Sequence, residues 1–146
     1  MTTLLSFLMA FLLGASISIY HPMNGSVSRI TGSPLLTNVV FYFFALLSSF
    51  VMLVAFGGLK FFGKLREVPP VLFIAGVMSA IMVLGTLILL PRLGARRLFL
   101  LQVAGQILMA IIVAHFGLLD TQHDPLTIRK AIGAGLLLAG AIVSVI

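Results

Sequence analysis

The chain offers little for acid–base or nucleophilic chemistry. Its carboxylates are Glu67, Asp120 and Asp124, and it has three histidines and no cysteine. All three carboxylates fall in polar stretches between apolar runs, so none is placed to relay a proton or hold a cation inside hydrocarbon. Paired catalytic carboxylates, a Ser-His-Asp arrangement, His/Cys metal spacing and a glycine-rich phosphate loop are all missing. What remains is a set of neutral amides, hydroxyls and one histidine at helical spacing. Such groups bind or pack; they do not react. No enzyme, metal site or other cofactor is expected.

In the first apolar run Gly14, Ser18, His21, Gly25 and Ser28 recur every three or four residues, which is one face of a helix that continues past Tyr20. Asn24 stands beside that face. Pro22 would remove the hydrogen bond to the Ser18 carbonyl and kink such a helix. A helix that stops near Tyr20, with a loop from His21 to Ser33, fits the His-Pro and Asn-Gly pairs equally well. Asn38, Tyr42, Ala45, Ser49 and Met52 repeat the spacing in the second run, and Gly76, Ser79, Val83 and Thr86 do so in the third. Gln102 and Gln106 sit one turn apart in the fourth.

An amide in hydrocarbon needs a partner. Hydrogen bonds between helices supply one, with about 0.6–2 kcal/mol each. Lining a solute cavity is the other use. At this point both stay open for His21, Asn24, Asn38, Tyr42, Gln102 and Gln106, the candidate pocket residues. Away from the span ends, His21 is the one side chain that could titrate near neutral pH, and so the one candidate for proton coupling. His115, near the end of the fourth run, reads as interfacial. In the last run Ala131, Gly135 and Ala139 lie four apart, and Gly133 and Gly140 lie seven apart. Small residues at such spacing let backbones approach, either across a dimer seam or within the chain.

The elements that must position these groups follow from composition. Of 146 residues 61% are hydrophobic and 8% charged, against roughly 45–50% and 25% in a soluble domain. That excludes a soluble surface and a disordered chain. Nine basic residues against three acidic ones form no groove for nucleic acid; they flank apolar spans. Uncharged runs of about 20 residues or more are what a membrane helix needs. They predict five spans at about 3–29, 34–58, 69–91, 97–118 and 127–146 in a single domain over 1–146. The fold class is all-α, a polytopic membrane helical bundle. The runs are continuous rather than alternating, which excludes a porin-like barrel. Ser33-Pro34 reads as an N-cap with proline at the first helical position, and Asp124-Pro125 reads the same way before the fifth span. Pro91 is expected to close the third. Met1-Thr2-Thr3 lacks a basic stretch ahead of the apolar run, so no cleaved signal peptide is expected.

Five spans put the termini on opposite sides. Lys60, Lys64, Arg66, Arg129 and Lys130 then share the N-terminal side, against Arg29, Arg92, Arg96 and Arg97 on the other. So even a split gives almost no orienting signal. One fixed orientation with a cytoplasmic N-terminus and dual topology with antiparallel pairing are both compatible with it.

Gly32-Ser33-Pro34-Leu35, Pro91-Arg92-Leu93-Gly94-Ala95, Val103-Ala104-Gly105-Gln106 and His115-Phe116-Gly117-Leu118, with Asn24 ahead of them, stand in the order seen in the YdcZ-like family. Over nearly its whole length the chain resembles these small bacterial inner-membrane proteins of the drug/metabolite transporter superfamily. Ile132-Gly133 through Leu138-Ala139-Gly140 also resembles the final, dimer-forming helix of small multidrug transporters. The resemblance implies five spans, a first helix running through Asn24 towards Arg29, and small-molecule transport by an antiparallel homodimer or paired paralogous subunits. Tyr20 stands where the family often has Gln, and Ala114 where it often has an acid. The glutamate that small multidrug transporters use in their first helix has no counterpart here.

The expected function is transport of a small solute by alternating access, through a polar pocket built from the first four spans, with Gly133 and Gly140 at a dimer contact. Without an acid in the pocket, a neutral or anionic solute suits it better than a cation, with Arg29 or Arg92 serving an anion if the pocket reaches them. The alternative is an accessory or structural membrane subunit with no solute path of its own.

Overall fold

The computed structural model describes residues 2–146. Four α-helices dominate: α1 (Thr2–Thr31), α2 (Pro34–Ala55), α3 (Ile74–Phe116) and α4 (Ile128–Val145). Short 3-10 segments lie at Gly58–Glu67, Pro70–Phe73 and Leu118–Asp120. There is no strand among the described residues. Four stretches are long and apolar enough to cross a membrane, Thr3–Thr31, Pro34–Ala55, Pro70–Phe116 and Ile128–Val145. The third has 47 residues, more than twice the roughly 20 that one crossing takes. Gly94 divides it. Its φ of 74° and ψ of 158° belong to a region that glycine alone enters readily. The segments 74–93 and 95–116 are each of crossing length at about 1.5 Å per residue. The chain is an all-α helical membrane protein, the third of its four apolar stretches being broken at Gly94.

Several helix ends fall where local chemistry puts them. α1 is helical through Pro22 to Thr31, so the long-helix reading is the correct one. Gly32 then takes a φ of 66° and α2 starts at once. Ser33 is its N-cap, extended at φ −138° and ψ 106°, and its hydroxyl accepts from the Leu36 N–H at 3.2 Å. The Thr31 hydroxyl donates to the Val27 carbonyl at 2.9 Å, and its oxygen lies 3.2 Å from the Thr37 hydroxyl. Thr37 in turn donates to the Ser33 carbonyl at 3.1 Å.

Two expectations are corrected. Pro91 does not close the third span; it lies inside α3. Proline forfeits one backbone hydrogen bond, but its φ near −65° is itself helical, so the backbone leaves the helix only at Gly94. Nor is Asp124 the cap of the last helix. Thr127, extended at φ −98° and ψ 160°, holds that place and accepts from the Lys130 N–H at 3.4 Å. Asp124 pairs instead with the Lys130 ammonium. Glu67 ends the first 3-10 segment, and the side chain of Asp120 lies outside the described part.

The chain forms two compact units, Met1–Arg92 and Leu93–Ile146. In the first, α1 packs on α2, and α3 contributes Val83, Thr86, Leu87 and Leu90, all below 10% exposure. Their spacing of i, i+3, i+4 and i+7 is a single helix face. His21, Gly25 and Thr37 are buried in the same unit. A Cβ at Gly25 would come within 2.5 Å of Leu90 Cδ2, so glycine permits that close approach. In the second unit Leu98 and Ala141 are buried, and the Arg96 guanidinium donates to the Ser144 carbonyl near the end of α4. The loop before α4 is held by the Asp124 N–H on the Ala114 carbonyl at 2.9 Å and by the Leu126 N–H on His115 Nδ1 at 3.1 Å.

Gly94→Ala should cost about 1–3 kcal/mol, because a Cβ is strained at that φ and ψ. Gly105→Ala, within a helical stretch and meeting no atom within 4 Å, should be neutral or stabilise by about 0.5–1 kcal/mol. Denaturant titration of both variants in mild detergent, followed by circular dichroism, checks the contrast. Equal effects would contradict the assigned break.

Candidate functional site

Four of the six candidate pocket residues belong to the first unit. Their surroundings separate them. Asn38 Nδ2 donates to the Ala80 carbonyl on α3 at 3.2 Å. Tyr42 shares a hydrogen bond of 2.6 Å with the Ser79 hydroxyl on the same helix. Both side chains therefore join α2 to α3, the binding role that neutral polar groups commonly have in membrane bundles. His21 is 2% exposed, with its ring centroid 4.5 Å from that of Tyr20. Tyr20 in turn stacks on Phe41 at 5.9 Å. A π-rich wall thus runs from α1 to α2 beside the buried histidine.

Asn24 differs. Its Nδ2 is buried without a hydrogen-bond partner, and the residue lines a cavity of about 360 Å³ between α1 and α2. The other walls are Val27, Thr37, Val40, Phe41, Phe44, Ala45 and Ser48. An unpaired amide N–H in such a place costs on the order of 1–3 kcal/mol. The Thr37 and Ser48 hydroxyls already donate to the Ser33 and Phe44 carbonyls, the latter at 2.8 Å. Asn24 therefore brings a buried, unpaired donor beside a cavity whose other walls are mostly apolar and aromatic. Asn38 Oδ1 is also buried without a partner, but Asn38 does not line this cavity.

Of the six candidates Asn24 alone lines this space. Gln102 and Gln106 lie in the second unit, the first half-buried and the second exposed. Thr37 and Ser48 escaped the sequence reading. They sit off the face marked by Asn38 and Tyr42, and a hydroxyl next to a helix start reads as capping. Gly133 and Gly140 are exposed on α4, and a Cβ at either would meet open space. Neither serves a close backbone approach within the chain. Gly133 borders a second groove of about 480 Å³ between α3 and α4, edged by Asp124 and Lys130.

A second cavity of the first unit, about 450 Å³, opens at the far ends of α1 and of the first α3 segment. Arg29 and Arg92 both line it, with Ser28, Gly32 and Pro34. Two of the short motifs singled out in the sequence, one around Ser33-Pro34 and one around Pro91-Arg92, meet there.

The Tyr42–Ser79 bond should couple those two positions. Tyr42→Phe is expected to destabilise the protein by about 0.6–2 kcal/mol, and Ser79→Ala should then add little. A double-mutant cycle by denaturant unfolding reads the coupling, and strict additivity would show the bond to be energetically idle.

A family model described as "Putative inner membrane exporter, YdcZ" matches residues 5–143. No curated protein and no solved structure matches the chain. The match covers α2, α3 and both cavities of the first unit in full, and most of α1 and α4. By this match and its apolar helices, the chain belongs to the YdcZ family of the inner membrane and is a multi-pass protein of the transporter class.

Proposed function

We propose that this protein exports a small neutral or anionic solute by alternating access, and that it works as a dimer. The observation that carries the reading is the buried, unpartnered amide of Asn24 beside a cavity of about 360 Å³. A purely structural polar residue would be expected to use its donor, as Asn38 and Tyr42 do. The cation-exchange mode is disfavoured because Glu67, Asp120 and Asp124 all lie outside the apolar spans. For the dimer, support comes from α4, whose Gly133, Gly135 and Gly140 face open space. A second copy, antiparallel or parallel, or a paralogous subunit would find a close-packing surface there.

The alternative, an accessory subunit with no path of its own, draws on the use of Asn38 and Tyr42 as ties between helices. Flux separates the two. Proteoliposomes loaded with a panel of neutral and anionic metabolites should lose at least one compound through the parent protein. Asn24→Ala should lower that flux at least tenfold while leaving the unfolding midpoint unchanged or slightly raised, since it deletes an unpaired amide. Undiminished flux in the variant would remove Asn24 from the path, and a folded parent that moves nothing would favour the accessory role.

The dimer is tested on a chain that lacks cysteine. A single Leu136→Cys, exposed midway between Gly133 and Gly140, forms a disulfide only with its own copy and meets it in either orientation. Oxidation in membranes should give a dimer band, whereas cysteine at Phe7, on the exposed face of α1, should not. Equal crosslinking at both sites would argue against an α4 seam.

A further inference from the structure

The cavity at the ends of α1 and of the first α3 segment is not needed by the reading centred on Asn24. It measures about 450 Å³, within the range of small-molecule sites. Arg29 and Arg92 both line it and both are exposed to the cavity mouth. Among the described residues the one ion pair is Lys130–Asp124, in the other unit, so neither arginine has a carboxylate partner there. Arg29 is positioned by its Nη2 donating to the Ser26 hydroxyl one turn back at 2.8 Å. That uses one of five guanidinium donors.

The fixed dipoles nearly cancel. α1 ends and α2 begins at this turn, so a partial negative charge of about 0.5 meets a partial positive charge of the same size. Two full positive charges remain. The walls beside them are Leu87, Ile88, Leu90 and Pro91. They thin the water and strengthen any ionic contact. Ser28 adds a hydroxyl, and Gly32, where an added Cβ would meet open space, keeps that side of the cavity clear. Guanidinium pairs of this kind favour planar or tetrahedral oxyanions through paired N–H donors.

We propose that this cavity binds a compact oxyanion, a phosphate or carboxylate group carried on a small organic body, between Arg29 and Arg92. The group comes either from an anionic lipid headgroup or from a free solute. α1 is about 45 Å long at 1.5 Å per residue, longer than the hydrocarbon core, which carries Arg29 to headgroup depth. The free-solute source rests on the transport reading above; the site itself does not.

The test follows arginine modification by phenylglyoxal, residue by residue, on the full chain in an uncharged detergent. The probes are inorganic phosphate, succinate and short-chain phosphatidylglycerol, with short-chain phosphatidylcholine as the zwitterionic control. At least one anionic probe should slow modification of Arg29 and Arg92 at least tenfold, with Arg66 and Arg97 unaffected. Protection by phosphatidylglycerol alone assigns the lipid source, and protection by phosphate or succinate assigns the solute source. No protection, or equal protection of all four arginines, overturns the proposal.

Arg92→Gln should raise the half-protecting concentration at Arg29 at least tenfold, and Arg92→Lys should raise it less. If the Gln variant does not fold, the protection pattern of the unaltered chain still decides. A chain that binds the probe in this way and moves no solute keeps the site and loses the transport reading, so the two fail separately.

Discussion

Hydrocarbon has no water to satisfy a stray N–H or C=O, so each backbone group must find its partner within the protein. Most of the architecture follows from that demand. The backbone is helical wherever it is apolar, and it breaks only where local groups close the gap. The turn between α1 and α2 shows how. Thr31, Ser33 and Thr37 exchange hydrogen bonds with one another and with the Val27 and Ser33 carbonyls, and the Ser33 hydroxyl takes the free Leu36 N–H in the first turn of α2. With its polar groups spent on itself, the corner brings two long helices together and sets the depth of everything packed against them. Asn38 and Tyr42 then extend the same logic sideways to α3.

Much of this was legible in the residues. Length and charge spacing marked the spans, and Ser33-Pro34 marked the start of α2, because capping chemistry is local. The errors also came from local signals. Pro91 looked like a terminator, yet proline permits what only Gly94 ends. Asp124-Pro125 looked like a cap, yet Asp124 had a nearby lysine to pair with and Thr127 took the cap. Candidate pocket residues were harder. Periodicity places Asn24, Asn38 and Tyr42 on inward faces but cannot tell a donor that is used from one that is free. Ser79, Ala80 and the Asn24 cavity decide that, and they depend on which helices meet. That Arg29 and Arg92 line one cavity depends on the same packing, and no spacing rule announces it.

The electrostatic picture is correspondingly uneven. Excess positive charge is spread along the loops and helix ends, and the single described ion pair, Lys130–Asp124, is exposed on both sides, where such a pair adds about 0–1 kcal/mol at most. The fold therefore owes its stability to packing along faces such as Val83–Thr86–Leu87–Leu90 and to neutral hydrogen bonds. Charge is left available for contact with lipid and with anions.

The short corner at Gly32 and Ser33 also bears on how the chain enters a membrane during synthesis. α1 and α2 are joined so closely, and their connection is so nearly self-sufficient in hydrogen bonds, that the two constitute a ready-made helical hairpin. Arg29 is the one charged group that such a hairpin must carry across, since residues 1–59 hold no other. Beyond α2 the next charges are Lys60, Lys64 and Arg66, so positive charge brackets the second helix at both of its ends.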